Sequence, residues 1–458
     1  THYAITPLQL NATLSRPNIP ENAREISLLT AISVDLDADT LEISDLDLSA
    51  PGTQLNASVS GSNIQSGRPL YDISVNLAGD DLGLLFEIAE IDDLAARIAS
   101  LDSREFDLAL NMTADMGRGN ITVSRLNAGL LGAVIEGDLA ASNMQTDAPL
   151  IRGNLVASGP DLPALVEVLG QIQGGSDSEL ARYGRELSRV PDKAFSVNTA
   201  FDADIQQGSV EIPGLDLRLL GASITGTLSA NNVNTDTPVF SGRLNASGPD
   251  LPLLLQIAGQ LQGGTDSTLN QYGRQLRAGV NNRNFTINAE FDADMNTGNI
   301  QVPVLAANLL GFQLDGNLGA SNLQDARGSI NGALNFSGNN LREVLAAVGQ
   351  NDLSEVIQSV QLDVGIGGSR DNISISPLNL QLALAGAQIP NSPVNVTLNA
   401  DSRLNLDQET LTLDAFNLQG LGLNISGNVN ASRIFDAREF NGNLNVAGFN
   451  LRQLLQQL

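Results

Sequence analysis

The sequence contains neither cysteine nor tryptophan, and it has a single histidine, His2, and a single lysine, Lys193. These absences exclude disulfide frameworks, cysteine-based metal sites, thiol nucleophiles, histidine acid–base chemistry and the phosphate-binding loops that need a lysine. The polar patterns that do recur have ordinary structural interpretations, given below, and none of them replaces this chemistry. We therefore expect no catalytic site, no metal site and no cofactor, and we do not expect an enzyme.

Basic residues are also scarce, since 24 Lys+Arg stand against 51 Asp+Glu and give the 458 residues a net charge of −27. A chain this acidic has no electrostatic footprint for nucleic acid. Hydrophobic residues still make up 42% of it, which is enough for a core and excludes a disordered acidic tail. No run approaches the about 20 apolar residues of a transmembrane helix. Because the chain starts without Met and stops inside an apparent helix, we expect a slice of a longer protein.

The sequence repeats itself. Ser-Gly-Pro-Asp-Leu-Pro occurs at 158–163 and again at 247–252, and looser copies recur about every 80 to 110 residues. The glycines that mark the copies are Gly79, Gly159, Gly248, Gly338 and Gly448. They predict a partial unit at 1–78, repeat units at 79–158, 159–247, 248–337 and 338–447, and the start of a truncated unit at 448–458.

Each unit has the same internal order. It opens with a short helix, for example 162–171, for which Asp161 is the predicted N-cap and Pro163 lies in the first turn. The two central copies add a second amphipathic segment, roughly 179–190, and no role is assigned to the paired helices at 176–190 and 265–279. Segments with period-two alternation follow, separated by Asp-x-x-x-Gly turns such as Asp204 to Gly208.

The pattern predicts a mainly β fold of tandem antiparallel hairpins with one or two short helices per unit. The residues after the turn are interpreted as two strands, one carrying Val210 and Ile212 and the next carrying Leu215, Leu217 and Leu219. Counted in this way the chain holds about thirty strands, with a spacing of about 4.8 Å between neighbouring strands. They form either an elongated curved β-sheet groove or a closed β-solenoid or sandwich array.

A glycine recurs between two apolar residues in the middle of one strand of each unit, at Gly137, Gly226, Gly316 and Gly427. Glycine inside a strand marks a bulge, a sharp bend or the close approach of another group. We interpret these four glycines as positions of sheet curvature.

Two polar patterns recur and have ordinary structural interpretations. The pairs Asp202/Asp204 and Asp292/Asp294 could hold Ca²⁺ or act as paired carboxylates, but Asp also favours hairpin turns, and the turn interpretation is preferred. Tyr183 with Arg185, and the matching pair 272 and 274, could bind a lipid phosphate or a carboxylate. We favour a Tyr that packs the helix on the sheet beside a solvated Arg.

One side of the strands is apolar throughout, and this side carries the functional prediction. It forms either the dry core of a sandwich or an open trough that acyl chains would fill. The low aromatic content of 4% favours the trough. The predicted groove-lining residues are Phe195, Val197, Phe201, Ile224, Leu228, Phe285, Ile287, Phe291, Leu314 and Leu318.

The segments at 340–345 and 449–455, Asn-Leu-Arg-Glu-Val-Leu and Phe-Asn-Leu-Arg-Gln-Leu-Leu, resemble the Phe-[Asp/Asn]-Leu-Arg-x-Leu-Leu segment of AsmA-like proteins. In that family the segment follows a strand similar to 440–446, and strand pairs similar to 411–418 and 421–427 precede it. The resemblance covers essentially the whole chain as a degenerate repeating pattern. It departs from the family in lacking the N-terminal anchor and the usual C-terminal region.

The resemblance implies a bridge-like protein of the Gram-negative periplasm, held to the inner membrane by an N-terminal helix outside this chain. It implies a lipid-transfer conduit that carries phospholipid acyl chains between the inner and outer membranes and supports outer-membrane biogenesis. The expected partners are phospholipids and, through segments missing from this chain, both membranes. The alternatives are a structural or adhesive β-solenoid, or a TamB-like assembly factor for outer-membrane proteins.

Overall fold

The computed structural model describes residues 1–13, 25–264, 266–325, 328–339, 341–369, 371–386, 389, 392–435 and 438–448. Strands account for 57% of the chain and helices for 17%, so the prediction of a mainly β repeat fold is confirmed. The chain folds as two compact units, Thr1–Gly221 and Ala222–Leu458. The boundary between them lies inside the predicted repeat unit 159–247, and the predicted unit boundaries remain predictions. The predicted segment 449–455 lies outside the described residues.

The first unit contains eleven strands and four helices. They are β1 (His2–Thr13), β2 (Glu25–Asp35), β3 (Thr40–Ala50), β4 (Thr53–Ser62), β5 (Leu70–Gly79), α1 (Leu82–Ile88), α2 (Asp92–Ala99), β6 (Phe106–Asp115), β7 (Asn120–Leu130), β8 (Ala133–Ser142), β9 (Leu150–Gly159), α3 (Leu162–Gly174), α4 (Glu179–Leu187), β10 (Phe195–Asp204) and β11 (Ser209–Leu219).

The second unit contains twelve strands and four helices in its described residues. They are β12 (Ala222–Asn231), β13 (Val239–Gly248), α5 (Leu251–Gly263), α6 (Thr268–Gly279), β14 (Phe285–Asp294), β15 (Asn299–Leu309), β16 (Phe312–Ser321), β17 (Ser329–Gly338), α7 (Leu341–Ala347), α8 (Asn351–Val356), β18 (Ile357–Gly368), β19 (Asn372–Leu384), β20 (Val394–Asn405), β21 (Thr410–Gly420), β22 (Leu423–Ser432) and β23 (Glu439–Val446).

Within each unit every strand pairs antiparallel with the strand that follows it in the chain. The pairings run from β1 to β11 in the first unit and from β12 to β23 in the second. Among the described residues the sheet does not close into a barrel.

The strand count was overestimated because bulged strands were interpreted as two. Val210 and Leu217 belong to one strand, β11, whose pairing with β10 shifts register between Ala200 and Asp202. A bulge inserts one extra residue into a strand. Residues that face one side of the sheet then have even numbers before the bulge, as Val210 does, and odd numbers after it, as Leu217 does. The described residues accordingly form 23 strands rather than about thirty.

A helical hairpin interrupts the meander after every fourth strand from β5 onward, directly behind the marker glycines that end β5, β9, β13 and β17. The predicted N-cap is confirmed, since the Asp161 side chain accepts a hydrogen bond from the backbone N–H of Ala164 at 2.9 Å. Pro163 lies in the first turn as predicted. The sole lysine, Lys193, forms an ion pair with the same Asp161 carboxylate at 3.6 Å. The pair links the start of α3 to the residues just before β10.

The two helices of each central hairpin approach closely through glycines. A Cβ on Gly170 of α3 would lie 2.2 Å from the backbone nitrogen of Ala181 in α4, and the Ser178 hydroxyl donates to the Gly170 carbonyl at 2.8 Å. The interpretation of the repeated tyrosine as a packing residue is wrong for Tyr272, which is 47% exposed. Arg185 is not simply solvated, because it donates to the Ser176 carbonyl at 2.9 Å.

The fully buried apolar residues lie mainly where the helical hairpins cover the ends of the strands. In the first unit one cluster joins α1, α2 and α3 to β6 and the turn after β7, through Leu82, Ile98, Phe106, Leu131 and Val168. A second cluster packs Leu165 of α3 against Phe195, Ala133 and Ala157 of the sheet. These residues are buried because helices pack on the ends of the strands. Most of the length of each strand is not covered by a helix.

Candidate functional site

An uninterrupted row of apolar side chains crosses all eleven strands of the first unit on one face. Because residues directly opposite each other in antiparallel strands share a face, the row can be followed from partner to partner. Its members from β1 to β11 are Leu10, Leu28, Leu48, Leu55, Leu77, Leu108, Ala128, Ile135, Ala157, Val197 and Leu217. We call this set, with its counterpart in the second unit, the apolar row.

The second unit carries the same feature across all twelve of its strands. The members from β12 to β23 are Ile224, Ala246, Ile287, Ala307, Leu314, Phe336, Leu362, Leu380, Leu398, Leu418, Ile425 and Val446. In each unit every member is aliphatic or aromatic. A polar or charged residue at any one strand would interrupt the row, and none does.

The apolar row is half-buried rather than dry. Apart from the alanines 157 and 307, its interior members retain solvent exposure, and the members on the edge strands are the most open, with Leu10 at 55% and Val446 at 45% exposed. A sandwich core would bury such side chains completely. The row is therefore an accessible apolar surface that is shielded mainly by its own neighbours on the sheet.

The structure divides the ten predicted groove-lining residues into four groups. Val197, Ile224, Ile287 and Leu314 are members of the apolar row. Leu228 and Leu318 lie on the same face, four residues farther along their strands than the row members Ile224 and Leu314. Phe195 and Phe285 are 8% and 5% exposed, at the strand ends beside the helical hairpins, and so form core rather than accessible wall.

The remaining two predicted residues, Phe201 and Phe291, place their rings against glycines of neighbouring strands. The ring of Phe201 reaches within 3.1 Å of where a Cβ on Gly153 would stand, and that of Phe291 does the same at Gly242. The Leu228 side chain lies 2.9 Å from the same Gly242 position, and Leu318 lies 2.8 Å from that of Gly332. The sequence analysis did not predict that these glycines contact the Phe and Leu side chains. Their recurrence near the start of the last strand of each predicted repeat unit, in β9, β13 and β17, was a visible signal.

The four glycines predicted to mark curvature each lie against the backbone of the next strand. An added Cβ would stand 2.5 Å from a carbonyl oxygen at Gly137, 2.1 Å at Gly226, 2.2 Å at Gly316 and 2.0 Å at Gly427. Gly137, Gly316 and Gly427 are also the first paired residues beside a register shift with the preceding strand. Close backbone approach next to a bulge therefore requires glycine, and the contribution to curvature remains a prediction.

The marker glycines at the ends of the strands have a different partner, a phenylalanine ring. A Cβ on Gly79 would lie 2.2 Å from the ring of Phe106, and one on Gly159 or Gly248 would lie 2.6 Å from Phe195 or 2.5 Å from Phe285. A ring that lies over a glycine of the adjacent strand protects its backbone and fixes the register there. In these three cases the phenylalanine is the first residue of the next strand, β6, β10 or β14. The pairing therefore explains why a marker glycine at the end of one strand recurs together with a phenylalanine at the start of the next.

Replacing Gly137 with alanine should destabilise the first unit by about 1–3 kcal/mol, because the new methyl group collides with a backbone carbonyl that cannot rotate away. The matched control is Gly214→Ala on β11, where an added Cβ meets nothing within 4 Å. Urea unfolding followed by circular dichroism measures both changes. Equal midpoints for the two variants would contradict the close approach at Gly137.

The opposite face of the sheet is polar and holds open clefts. In the second unit a cleft of about 480 Å³ spans five strands, with Thr225, Asn245, Asn288, Asn308 and Asp315 among its lining residues. Its lining is dominated by hydroxyl and amide groups and contains no basic side chain. Within the described ranges, no three histidine, aspartate or glutamate side chains come together in a way that could hold a metal ion.

The recurrent aspartates serve the turns, as the sequence indicated. Asp204 accepts from the backbone N–H of Gln207 at 2.9 Å, and Asp294 accepts from those of Asn296 at 2.8 Å and Thr297 at 3.2 Å. A hydrogen bond from the Thr297 side chain, together with these backbone donors, lowers the pKa of Asp294 from its ordinary value. Gly208 and Gly298 close the turns at φ of 63° and 66°.

No described helix combines the length and the apolar character needed to cross a membrane. Comparison of the chain with protein-family models, with curated proteins and with solved structures gives no match.

Proposed function

We propose that the protein binds lipid acyl chains along the apolar row and acts as a lipid-transfer conduit of the bacterial periplasm. Phospholipids are the proposed cargo, the inner and outer membranes the proposed donor and acceptor, and outer-membrane biogenesis the proposed purpose. The observation that carries the proposal is the apolar row itself, which is continuous from the first to the last strand of each unit and is accessible along its length.

An exposed apolar surface of this extent is unstable in water without a ligand that covers it. Each methylene group that leaves water for an apolar surface contributes about 0.8 kcal/mol. An acyl chain laid along the row would be stabilised at every strand it crosses, while its headgroup stays in water. No single residue needs to recognise the lipid, which agrees with the absence of a repeated polar constellation near the row.

The dimensions of the row fit several chains in succession. Twelve strands spaced about 4.8 Å apart give the row of the second unit a contour of about 53 Å. The hydrocarbon core of a bilayer is about 30 Å thick and holds two acyl chains end to end. The row of one unit therefore has room for about three extended chains, as a conduit requires and a single-lipid carrier does not.

The proposal is tested by native mass spectrometry and lipid extraction on protein purified from a Gram-negative host without detergent. We expect more than one phospholipid per chain, with mixed headgroups, because the row recognises chains and not headgroups. A mass that corresponds to the polypeptide alone, with no extractable lipid, would refute the proposal and favour a structural or adhesive role.

A further inference from the structure

The hairpin turns at one end of the strands each carry an apolar side chain, and in the first unit four of these five side chains are exposed while Ile64 is half-buried. In the first unit these turns join β2 to β3, β4 to β5, β6 to β7, β8 to β9 and β10 to β11. Their apolar residues are Leu36, Ile64, Met116, Met144 and Ile205, and we call this set the turn rim. Leu36 and Met116 are each 41% exposed, Met144 is 45% exposed and Ile205 is 50% exposed.

Backbone hydrogen bonds from turn to turn make the turn rim a fixed structure. The N–H of Met116 donates to the Pro69 carbonyl of the preceding turn at 2.9 Å, that of Met144 to Gly119 at 2.9 Å, and that of Ile205 to Pro149 at 3.0 Å. The residue that makes the bond between turns is in each case the apolar one. The bonds hold neighbouring apolar residues of the rim at the spacing of the hairpins.

The second unit repeats the arrangement in five of its six corresponding turns, all except the one between β18 and β19. The corresponding residues there are Val233, Met295, Leu323, Leu406 and Ile434. Turns normally carry Gly, Pro, Asn, Asp and Ser, whose backbone preferences and hydrogen bonding suit them. Ten of the eleven turns that join an even-numbered strand to the next place an apolar side chain after an Asp, Asn or Arg, the turn between β18 and β19 being the exception.

The spacing of the turn rim matches a helix. Consecutive turns are two strands apart, about 9.6 Å at 4.8 Å per strand. In an α-helix, residues seven apart lie on one face and are separated by about 10.5 Å. Three residues of an extended strand cover a similar distance, but they alternate between faces and cannot all point at the rim.

The charge of the turn rim selects a cationic partner. The five turns carry six carboxylates, of Asp35, Asp37, Asp39, Asp115, Asp147 and Asp204, against the two guanidinium groups of Arg68 and Arg118. Hydrogen bonds from the backbone N–H groups of Ala38 and Asp37 lower the pKa of Asp35 from its ordinary value. An anionic membrane surface would be repelled, whereas lysine and arginine would be attracted.

We propose that the turn rim of the first unit is a docking surface for one cationic amphipathic α-helix of a partner protein. The helix would place an apolar residue every seventh position against Leu36, Ile64, Met116, Met144 and Ile205, and would set basic residues beside the aspartates. This interaction is independent of lipid binding, because the rim lies in the turns beyond the strand residues that form the apolar row.

The test uses a fluorescent synthetic peptide of about 28 residues, long enough to span about 42 Å as a helix, with leucine at two positions of each heptad and lysine at the exposed ones. Fluorescence anisotropy should give saturable binding to the full chain, and circular dichroism should show helix formation on binding. The triple variant Met116→Ser, Met144→Ser, Ile205→Ser should raise the dissociation constant at least tenfold without a change in charge.

A matched control variant distinguishes specific binding at the turn rim from nonspecific hydrophobic binding elsewhere on the surface. Val134→Ser, Val156→Ser, Leu169→Ser removes three apolar side chains with similar exposures of 43%, 44% and 42% outside the turns, and should change the dissociation constant less than twofold. A peptide of the same composition with scrambled leucine spacing should bind at least tenfold more weakly than the heptad peptide.

Three results would overturn the proposal. One is equal binding of both peptides, which would indicate unspecific attraction to an acidic protein. Another is unchanged binding by the rim variant. The third is binding of phosphatidylcholine vesicles, or self-association in sedimentation, that the rim variant abolishes while peptide binding persists, which would assign the rim to a membrane or to a second copy of the chain.

Discussion

Replacing Leu314 and Leu380 together with aspartate should reduce the lipid that co-purifies with the second unit several-fold. Both side chains are half-buried members of the apolar row, on β16 and β19. A carboxylate in the path of an acyl chain must either lose its water or keep the chain away, and burying an unpaired polar group costs at least about 1–3 kcal/mol. Quantitative mass spectrometry of extracted lipid, per mole of protein, measures the effect.

The control uses a residue directly adjacent to the row member on each of the same two strands, Gln313 before Leu314 and Gln381 after Leu380. Gln313 and Gln381 are exposed on the opposite, polar face, so Gln313→Asp with Gln381→Asp adds the same charge to the same strands without touching the row. We expect this control to retain the lipid content of the parent protein. If the row and control variants lose lipid equally, charge rather than the apolar path governs binding, and the proposed function fails.

The row variant must also be shown to fold. Its circular dichroism spectrum should match that of the parent, because the row is half exposed and an aspartate can turn its carboxylate towards water. If the double variant unfolds, Leu314→Asn supplies a neutral polar group at the same position. Full lipid content in a folded Leu314→Asn protein would count against a continuous apolar path.

Replacing Phe285 with alanine should destabilise the second unit by about 3–5 kcal/mol, the range for deleting a buried phenylalanine side chain. Phe285 is 5% exposed and its ring covers Gly248, 2.5 Å from the position of an added Cβ. The deletion leaves a cavity where the end of the strand meets the helical hairpin and uncovers the glycine backbone. The midpoint of urea unfolding, monitored by circular dichroism, measures the loss.

Phe240 provides the control for that change. It lies on β13, the strand that pairs with β14, and is 37% exposed. Phe240→Ala should therefore cost clearly less than Phe285→Ala, since 37% of Phe240 stays in water and less apolar surface is buried on folding. A loss for Phe240→Ala as large as that for Phe285→Ala would mean that the ring over Gly248 has no special structural role.

The two substitutions together separate functions that the sequence pattern had merged. Phe285 and Ile287 are two residues apart on β14 and face the same side, yet one is core beside the helices and the other is a member of the accessible row. Lipid content should respond to charges placed in the row, and stability should respond to truncation of Phe285. The alternation of apolar residues contains no information on where along a strand the covering helices end.

The repeat, the strand periodicity and the helix caps were readable from the sequence because they are local. Asp161 before Leu162 and Pro163 defines a helix start within a few residues, and Asp204 with Gly208 defines a turn within five positions. Local hydrogen bonding and backbone preference decide these features before any long-range contact forms. The same locality let the sequence indicate an apolar face that includes Val197, Ile224, Ile287 and Leu314.

The continuity of that face was decided only in the tertiary structure. Between β15 and β16 the register shifts, so that Val302 pairs with Leu318 and Leu305 with Gly316. The bulge thereby brings the even-numbered Val302 and the odd-numbered Leu305 to the same side of the sheet. Without the bulge, a one-residue offset would turn the apolar side chains beyond it to the polar face. Bulges depend on how closely neighbouring backbones approach, as at Gly316, and this is a property of paired strands that no single strand shows.

The turn rim was likewise invisible in the sequence, where Met116, Met144 and Ile205 are isolated apolar residues in polar turns. Strand pairing places those turns side by side, and hydrogen bonds between turns then fix the spacing. The sequence by itself thus determined the elements and their repeating order, because short-range backbone chemistry specifies them. The tertiary structure alone decided the apolar row, the turn rim and the division between core and accessible surface, because each depends on which strands lie next to each other and in what register.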